Sequence, residues 1–336
     1  MSDLDIDTMV YGLSDDIGET AALAEELGFD CVWNPEMDFD SLLPLPLVAE
    51  HTEDIEFGTK IATAFTRSPM VLAYMAWDLQ RYSGGRFALG LGTQVKGHNV
   101  DRFSVDFEWE SPGPRLREVV ESLRHIWDVF QGRRDELNYD GEFYQFSLMT
   151  DFFDPGPIDN PDIPIHLAGV NEYNIQLAGE VADGLAMHGF NTPAYTEEVI
   201  EPLVERGAER GGRSIDEVEL IAAPFVVTGR TDEEIQASRE EAKERIAFYG
   251  STRTYHDVLE LHGWKDVGME LHELSKQDKW GEMHELITDE MVDAFAVEAP
   301  VDELADEIRS KYGGVANRVT VDFEGKEYWG EVVEEL

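Results

Sequence analysis

At 336 residues the chain is long for one sandwich-type domain but ordinary for a single α/β barrel or two smaller domains, and 42% hydrophobic residues supply a full core. The 71 Asp and Glu against 26 Lys and Arg give a net charge of −45, with only eight lysines among the bases. Such a surface repels nucleic acid and anionic membranes. Its acids are spread along the whole chain, which fits adaptation to strong salt, as in the cytosol of a halophile, better than a dedicated acidic face.

The start MSDLDIDTMVYG has neither a basic nor an apolar leader region, and no run of about 18 apolar residues follows, so neither a secretory signal nor a membrane span is expected. Short runs rich in Val, Ile and Leu then alternate with stretches of helical period, the pattern of parallel strands joined by crossover helices. TMVYGL reads as a weak first strand, followed by a helix over 21–27. FDCVWN is the second strand, carrying the lone Cys31 as a buried, inert thiol, and a helix over 42–51 follows. IEFGTKIA is the third, with a helix over 69–81; RFALGLG is the fourth, with an amphipathic helix over 115–130.

The segment ELNYDGEFYQFS alternates about Asp140-Gly141 and is expected to be a β-hairpin inserted near 136–147. IPIHLAG is the fifth strand with a helix over 171–182, and GLAMHGF the sixth with a helix over 196–210. VELIAAPFVVTG is the seventh, NRVTVDF the eighth, and KEYWGEVVEEL closes the chain. Between the last two strands lies a long helical region over 232–311, with an insertion near 263–285 that either covers a site or joins a subunit contact. Eight strand–helix units without an internal linker predict one closed (β/α)8 TIM barrel with insertions over 1–336, whose chemistry belongs at the C-terminal ends of the strands.

Motif searches exclude more than they admit. GLGTQVKG has Val95 where a dinucleotide fingerprint needs its third glycine, and no phosphate-loop, nucleophile-elbow or zincin motif is present. His262, His272 and His284 lack metal-ligand spacing, so no metal site is expected. His98 and His188 each fall at or beyond a predicted strand end, where an active-site role and a satisfied structural role are both open. Glu36 and Asp38 follow the second strand, where a carboxylate orients a ligand or moves a proton, or an acid simply helps start the next helix through Asp40 or Ser41. Gly169 ends the fifth strand and Asn171 is placed to cap the next helix, a backbone arrangement that suits a phosphate or merely turns the chain. In SGGRFALGLGTQ, Gly84 or Gly85 is expected to end a helix in the left-handed conformation. Gly90 and Gly92 share one face of the fourth strand; the missing side chains leave room either for a flat ring or for bulky core neighbours.

The blocks RSPMVLAYMAWDLQRYSGGRFALGLGTQVKGH, GEFYQFSLM, PGPIDNPDIPIHLAGVN and LAGEVADGL, in that order over roughly Gly28 to Asn191, resemble the luciferase-like monooxygenase superfamily, and within it the branch that uses the deazaflavin coenzyme F420. The resemblance implies a commonly homodimeric barrel holding F420, or alternatively FMN, at its mouth, with a small organic substrate. It implies a non-prolyl cis peptide at Lys60–Ile61 against the cofactor ring, and a phosphate-holding loop at Gly169, Val170 and Asn171. His188 is implied as a contact to the same tail, Glu36 as a cofactor-binding acid, and Gly92 and Thr93 as lining beside the ring. Met37 and Val95 replace residues that serve as histidine and acid in relatives, which makes His98 the candidate acid or base, with Glu36 beside it. Three readings compete with hydride transfer to or from F420: an FMN monooxygenase fed by a reductase and oxygen, a catalytically idle cofactor-binding barrel, and an unrelated barrel isomerase or aldolase built on Lys60 or Lys96.

Overall fold

Short strands followed by amphipathic helices bury one strand face under a helix and leave the other to face its fellows across a closed sheet. The computed structural model, which describes residues 4–105 and 111–336, closes that sheet with eight parallel strands. In chain order they are β1 Asp5–Met9, β2 Cys31–Asn34, β3 Glu56–Thr59, β4 Phe87–Gly92, β5 Ile165–Ala168, β6 Gly184–Ala186, β7 Glu219–Ala222 and β8 Arg318–Val321. Each pairs with its successor, β3 with β4 through Phe57↔Phe87, and β8 returns to β1 through Asp5↔Arg318. The reading of a leader-free start rests partly on Met1 to Asp3, which lie outside the described residues.

Local signals set several boundaries. The helix Pro69–Ser83 begins where the Ser68 side chain accepts from Val71 N and Pro69 needs no N–H partner, and it ends at Gly84, with φ 71°. The helix Asp232–Gly250 opens on a capping box made by Thr231 and Glu234. A two-strand hairpin, Tyr139↔Phe146 and Asp140↔Gln145, turns over four residues, closed by Gly141 N donating to Tyr144 O.

Several elements differ from the expectation. The first strand starts at Asp5 rather than Thr8, because Asp7 is satisfied inside the barrel and not in water. The third run breaks after Thr59 and resumes as a two-residue extension, Ala62–Thr63, across a cis Lys60–Ile61 peptide. The sixth strand stops at Ala186, so His188 lies in the loop beyond it. The seventh run divides at Ala223-Pro224, where proline removes a ladder donor, and its second half Phe225–Val227 pairs outside the barrel with Ala296–Glu298, a strand inside the region read as helical.

The barrel interior and the helix-covered shell are separate cores. Cys31, Trp33, Ala88 and Ile221, with Met9 against them, fill the middle of the barrel. The large cluster that includes Trp77, Leu116, Phe130 and Val204 packs helices on its outside. Two glycines allow β3 and β4 to close: a Cβ on Gly90 would lie 1.9 Å from Thr59 O, and one on Gly58 2.1 Å from Ala88 O. Thr59 Oγ1 donates to Gly90 O (2.7 Å) and accepts from Gly90 N (3.0 Å), so a hydroxyl bridges the strands where the ladder opens. Because the obstructing atom at Gly90 is backbone, Gly90→Ala is expected to cost about 3 kcal/mol or to block folding, as read by equilibrium chemical unfolding.

Candidate functional site

The inward positions of the barrel change character along its axis. At the N-terminal end they are charged: Arg318 Nη2 donates to Asp7 Oδ1 (2.8 Å), Arg318 Nη1 lies 3.4 Å from Asp5 and 3.1 Å from Glu56, and Trp33 Nε1 donates to Asp7 Oδ2 (2.8 Å). At the C-terminal end they are small, with Ala168 and Ala186 ending β5 and β6 and Ala223 just beyond β7, and the space they leave opens into a cavity of about 720 Å³. Lys60, Ile61 and Thr320 border it from below, Gly169 and Val170 from one side, and the helix Asp232–Gly250 contributes Glu241, Arg245 and Tyr249 from the other. The cavity therefore occupies the β5–β8 side of the mouth.

Its polar groups are held in specific ways. Lys60 Nζ donates to Thr320 Oγ1 (2.6 Å), and burial brings its pKa down to about 8, with Arg318 lowering it further and Asp7 and Cys31 opposing the shift. Two residues above Thr320, Asp322 accepts from Tyr11 Oη (2.7 Å); burial and then this carboxylate push the phenol up. His188 Nδ1 accepts from Phe190 N (2.9 Å), which places the imidazole proton on Nε2, 3.1 Å from Tyr255 Oη. The ring stacks on Tyr255 with centroids 4.3 Å apart, and burial lowers its pKa to about 4, so it is neutral at physiological pH. Arg245 lies over the Phe225 ring at 5.0 Å.

A second, smaller cavity of about 380 Å³ lies on the β2 side, bounded by Glu36, Asp40, Arg67 and Phe103 among others. Glu36 Oε2 accepts from Ser41 Oγ (2.9 Å), Thr63 N (3.1 Å) and Arg67 Nη1 (2.9 Å), and Arg67 also grips Asp40. One carboxylate thus ties the loop after β2 to the extension of β3.

The structure brings Lys60, Ile61, Gly169, Val170 and His188 onto one cavity and leaves the other candidates apart from it. Glu36 belongs to the second cavity. Gly92 lies beside Ile61, which lines the cavity: a Cβ there would come 2.8 Å from Ile61 Cδ1. Thr93 O accepts from Asn99 Nδ2, and His98 is exposed at the start of the turn His98–Arg102, bordering neither cavity. Asn171 caps the helix Glu172–Val181, its side chain accepting from Asn174 N (2.9 Å). The insertion helix Lys265–Lys276 contributes no lining to the large cavity, and the short segment Trp280–Leu286 after it is joined to the helix Asp232–Gly250 through Trp280 and Phe248, ring centroids 5.9 Å apart. Sequence reading missed Arg67, Tyr11, Thr320, Asp322 and Arg245. For Thr320 and Asp322 a signal existed, because Arg318, Thr320 and Asp322 alternate strictly in NRVTVDF.

A closed parallel barrel with a polar-edged cavity at the C-terminal ends of its strands defines an α/β-barrel protein with a ligand site at its mouth. The luciferase-like monooxygenase family model matches residues 6–318, and the chain belongs to that family. It is 44% identical over 301 residues to an uncharacterised protein of Mycobacterium tuberculosis, covering 90% of this chain and 88% of the other. It is 30% identical over 291 residues to the 5,10-methylenetetrahydromethanopterin reductase of Methanolobus tindarius, covering 84% and 82%. Among solved structures, the coenzyme F420-dependent tetrahydromethanopterin reductase of Methanopyrus kandleri superposes with a TM-score of 0.80 at 23% identity, over 100% of this chain and 99% of that one.

The Glu36 cluster yields a stability prediction. The side chains of Glu36 and Arg67 are 6% and 14% exposed, so Arg67→Ala leaves a buried carboxylate without its cation. That change is expected to destabilise the fold by about 3 kcal/mol, whereas Glu36→Gln, which keeps an acceptor, costs less; equilibrium unfolding of both variants measures the difference.

Proposed function

We propose that this protein is an F420-dependent oxidoreductase that moves hydride between the deazaflavin and a small organic substrate. The observation that carries this reading is the charge balance of the large cavity. Its lining holds four acids, Glu234, Glu241, Asp322 and Glu324, and four bases, Lys60, Arg230, Arg245 and Lys326, in a chain with 71 acids and 26 bases. A phosphate-bearing anionic cofactor needs such a local departure from an otherwise repelling surface. Gly169 and Val170 also line the cavity just beyond β5, where a Cβ on Gly169 would lie 3.0 Å from both Ile175 N and Leu185 Cδ1, so glycine lets the strand end pass close to the following helix. The names of the two reductases above, one of them F420-dependent, support the same cofactor.

When bound, the deazaflavin supplies a ring carbon that accepts or gives two electrons as hydride. In this reading Ile61 and Lys60 border the ring, Gly169 and Val170 hold the phosphate, and His188, neutral and pinned by Phe190 N and Tyr255, shapes the wall. Glu36 acts through Arg67, keeping the loop after β2 and the turn at Lys60–Ile61 in register. His98 lies on the turn after β4 and meets substrate only if that turn folds over the mouth.

The partner of the chain in this reading is a second copy. Leu43, Leu47, Val71, Tyr82, Phe152 and Phe153 are all exposed, and the elements that carry them are tied together: Tyr82 to Glu50, and Tyr74 to Phe153 O. No helix among the described residues is long and apolar enough to cross a membrane. The cytosol of a salt-adapted cell is the location this reading proposes, on the strength of the 71 acids spread along the chain. Titration with F420 and with FMN in molar salt tests the cofactor: saturable F420 binding supports the reading, and FMN binding without F420 binding replaces it with the monooxygenase alternative. The acidic surface carries a separate expectation. Raising NaCl from about 0.1 M to about 2 M should raise the melting temperature, because it screens self-repulsion among the 71 acids; an unchanged or lower value refutes the salt adaptation.

A further inference from the structure

The lysine at the floor of the cavity is placed at a position where charge is difficult to keep. Lys60 follows Gly58 and Glu56 on the inward face of β3, so its side chain enters the barrel and not the solvent. An ammonium group carries three N–H donors. One goes to Thr320 Oγ1, and among the described residues Lys60 forms no ion pair. Asp7, the carboxylate whose charge acts on Lys60, already receives the Arg318 guanidinium on both oxygens and the Trp33 indole N–H on one of them. Lys60 nonetheless lies on the cavity surface together with Thr320. A half-buried cation with donors to spare, facing an open cavity and lacking a carboxylate partner, is costly to the empty fold and is compensated by an acceptor that arrives with a ligand.

We propose that Lys60 Nζ is a charged contact for the ligand of this cavity, donating to an anionic or strongly polarised oxygen or nitrogen on the edge of a bound heteroaromatic ring and selecting for ligands that present one. This assignment rests on the cofactor reading above and adds a specificity-determining residue to it. The groups facing Nζ are Asp7 of β1, Cys31 of β2, and Thr320 and Arg318 of β8. Burial raises the Cys31 thiol well above its usual range, burial and Asp322 raise the Tyr11 phenol, and burial brings His188 down to about 4. Of these groups Lys60 is the one that changes charge in mildly alkaline solution, near pH 8.

The sign of the linkage follows. In the fold Lys60 gives up its proton near pH 8, whereas in the unfolded chain it keeps it to the ordinary value of 10.5. Between these values the unfolded state binds more protons, so stability rises with pH through that window and the charged form burdens the empty protein below it. Ligand affinity runs the other way, strongest where Nζ is charged and weakening as pH rises through 8.

The test compares wild type with Lys60→Met, which preserves volume and removes charge. Ligand-free Lys60→Met is expected to melt about 3 °C higher than wild type at pH 7 and to lose the wild-type gain in stability between pH 8 and 10.5. Binding of F420, followed by its fluorescence with FMN as the second probe, is expected to weaken about 10- to 100-fold at pH 7, the span of a charge-assisted hydrogen bond. That difference should shrink toward none by about pH 9.5. If F420 binds wild type and Lys60→Met alike at pH 7, the Lys60 assignment falls and the cofactor reading stands. If neither probe binds wild type, both fall. A lower melting temperature in Lys60→Met marks Lys60 as a structural group and overturns the assignment.

Discussion

The contact between Asp7 and Arg318 joins the first barrel strand to the last, and the site at the other end of the barrel depends on it. Asp7 is fully buried and Arg318 nearly so, and the pair lies where β1 and β8 meet to close the sheet. Removing two charges from water costs roughly what their attraction returns, so the pair is a weak source of net stability. Its geometry is nevertheless demanding. Two guanidinium nitrogens bond Asp7 while Trp33 donates from β2, and a one-residue slip of β8 would turn Arg318 outward and strand the carboxylate. The interaction selects a register more than it adds free energy.

That register decides what the mouth contains. With Arg318 inward, Thr320 and Asp322 are inward too, and each meets a residue from another strand's end: Thr320 receives Lys60 from beyond β3, and Asp322 receives Tyr11 from beyond the neighbouring β1. The same alternation on β5, β6 and β7 brings Ala168, Ala186 and Ala223 to the top layer, too small to fill it. A barrel of eight strands normally fills its interior with side chains. Here the middle is filled by Trp33, Ile221 and their neighbours, and the top is left open over a polar floor. The cavity follows from which residue sizes fall on one phase of a period-two pattern.

Much of this was legible in the chain. Strand–helix alternation led to the eight-stranded barrel, and family motifs led to the cis peptide at Lys60–Ile61 and to the Gly169 loop. What escaped has a common physical cause. DIDTM and RVTVD alternate polar with apolar residues, and that pattern ordinarily signals one face in water. In a closed barrel both faces are buried, so the polar phase builds an internal network, and only the partners, distant in sequence by 311 residues, reveal it. Arg67 escaped for a similar reason: its value lies in reaching Glu36 across a loop, and nothing in TAFTRSP marks that reach. Gly90 is ambiguous in sequence between ring space and close packing, and only the position of Thr59 O decides for packing there.

The anionic ligand proposed for the mouth must reach it past an acidic surface. In about 0.1 M salt the Debye length is near 10 Å, so the field of the surrounding acids reaches across the opening and opposes approach. In about 1 M salt it shrinks to near 3 Å, the surface becomes invisible beyond contact distance, and only groups that touch the ligand count. Under those conditions the proposed ligand would meet a few cations at contact range, Lys60 in the floor and Arg245 on the wall, in the role a basic surface has for anion binders. The burial that makes Lys60 hard to keep charged also shields it from salt, so its attraction survives where that of an exposed lysine is lost. An acidic shell and a buried cation are then compatible parts of one binding site, the first tolerated because it is screened and the second effective because it is not.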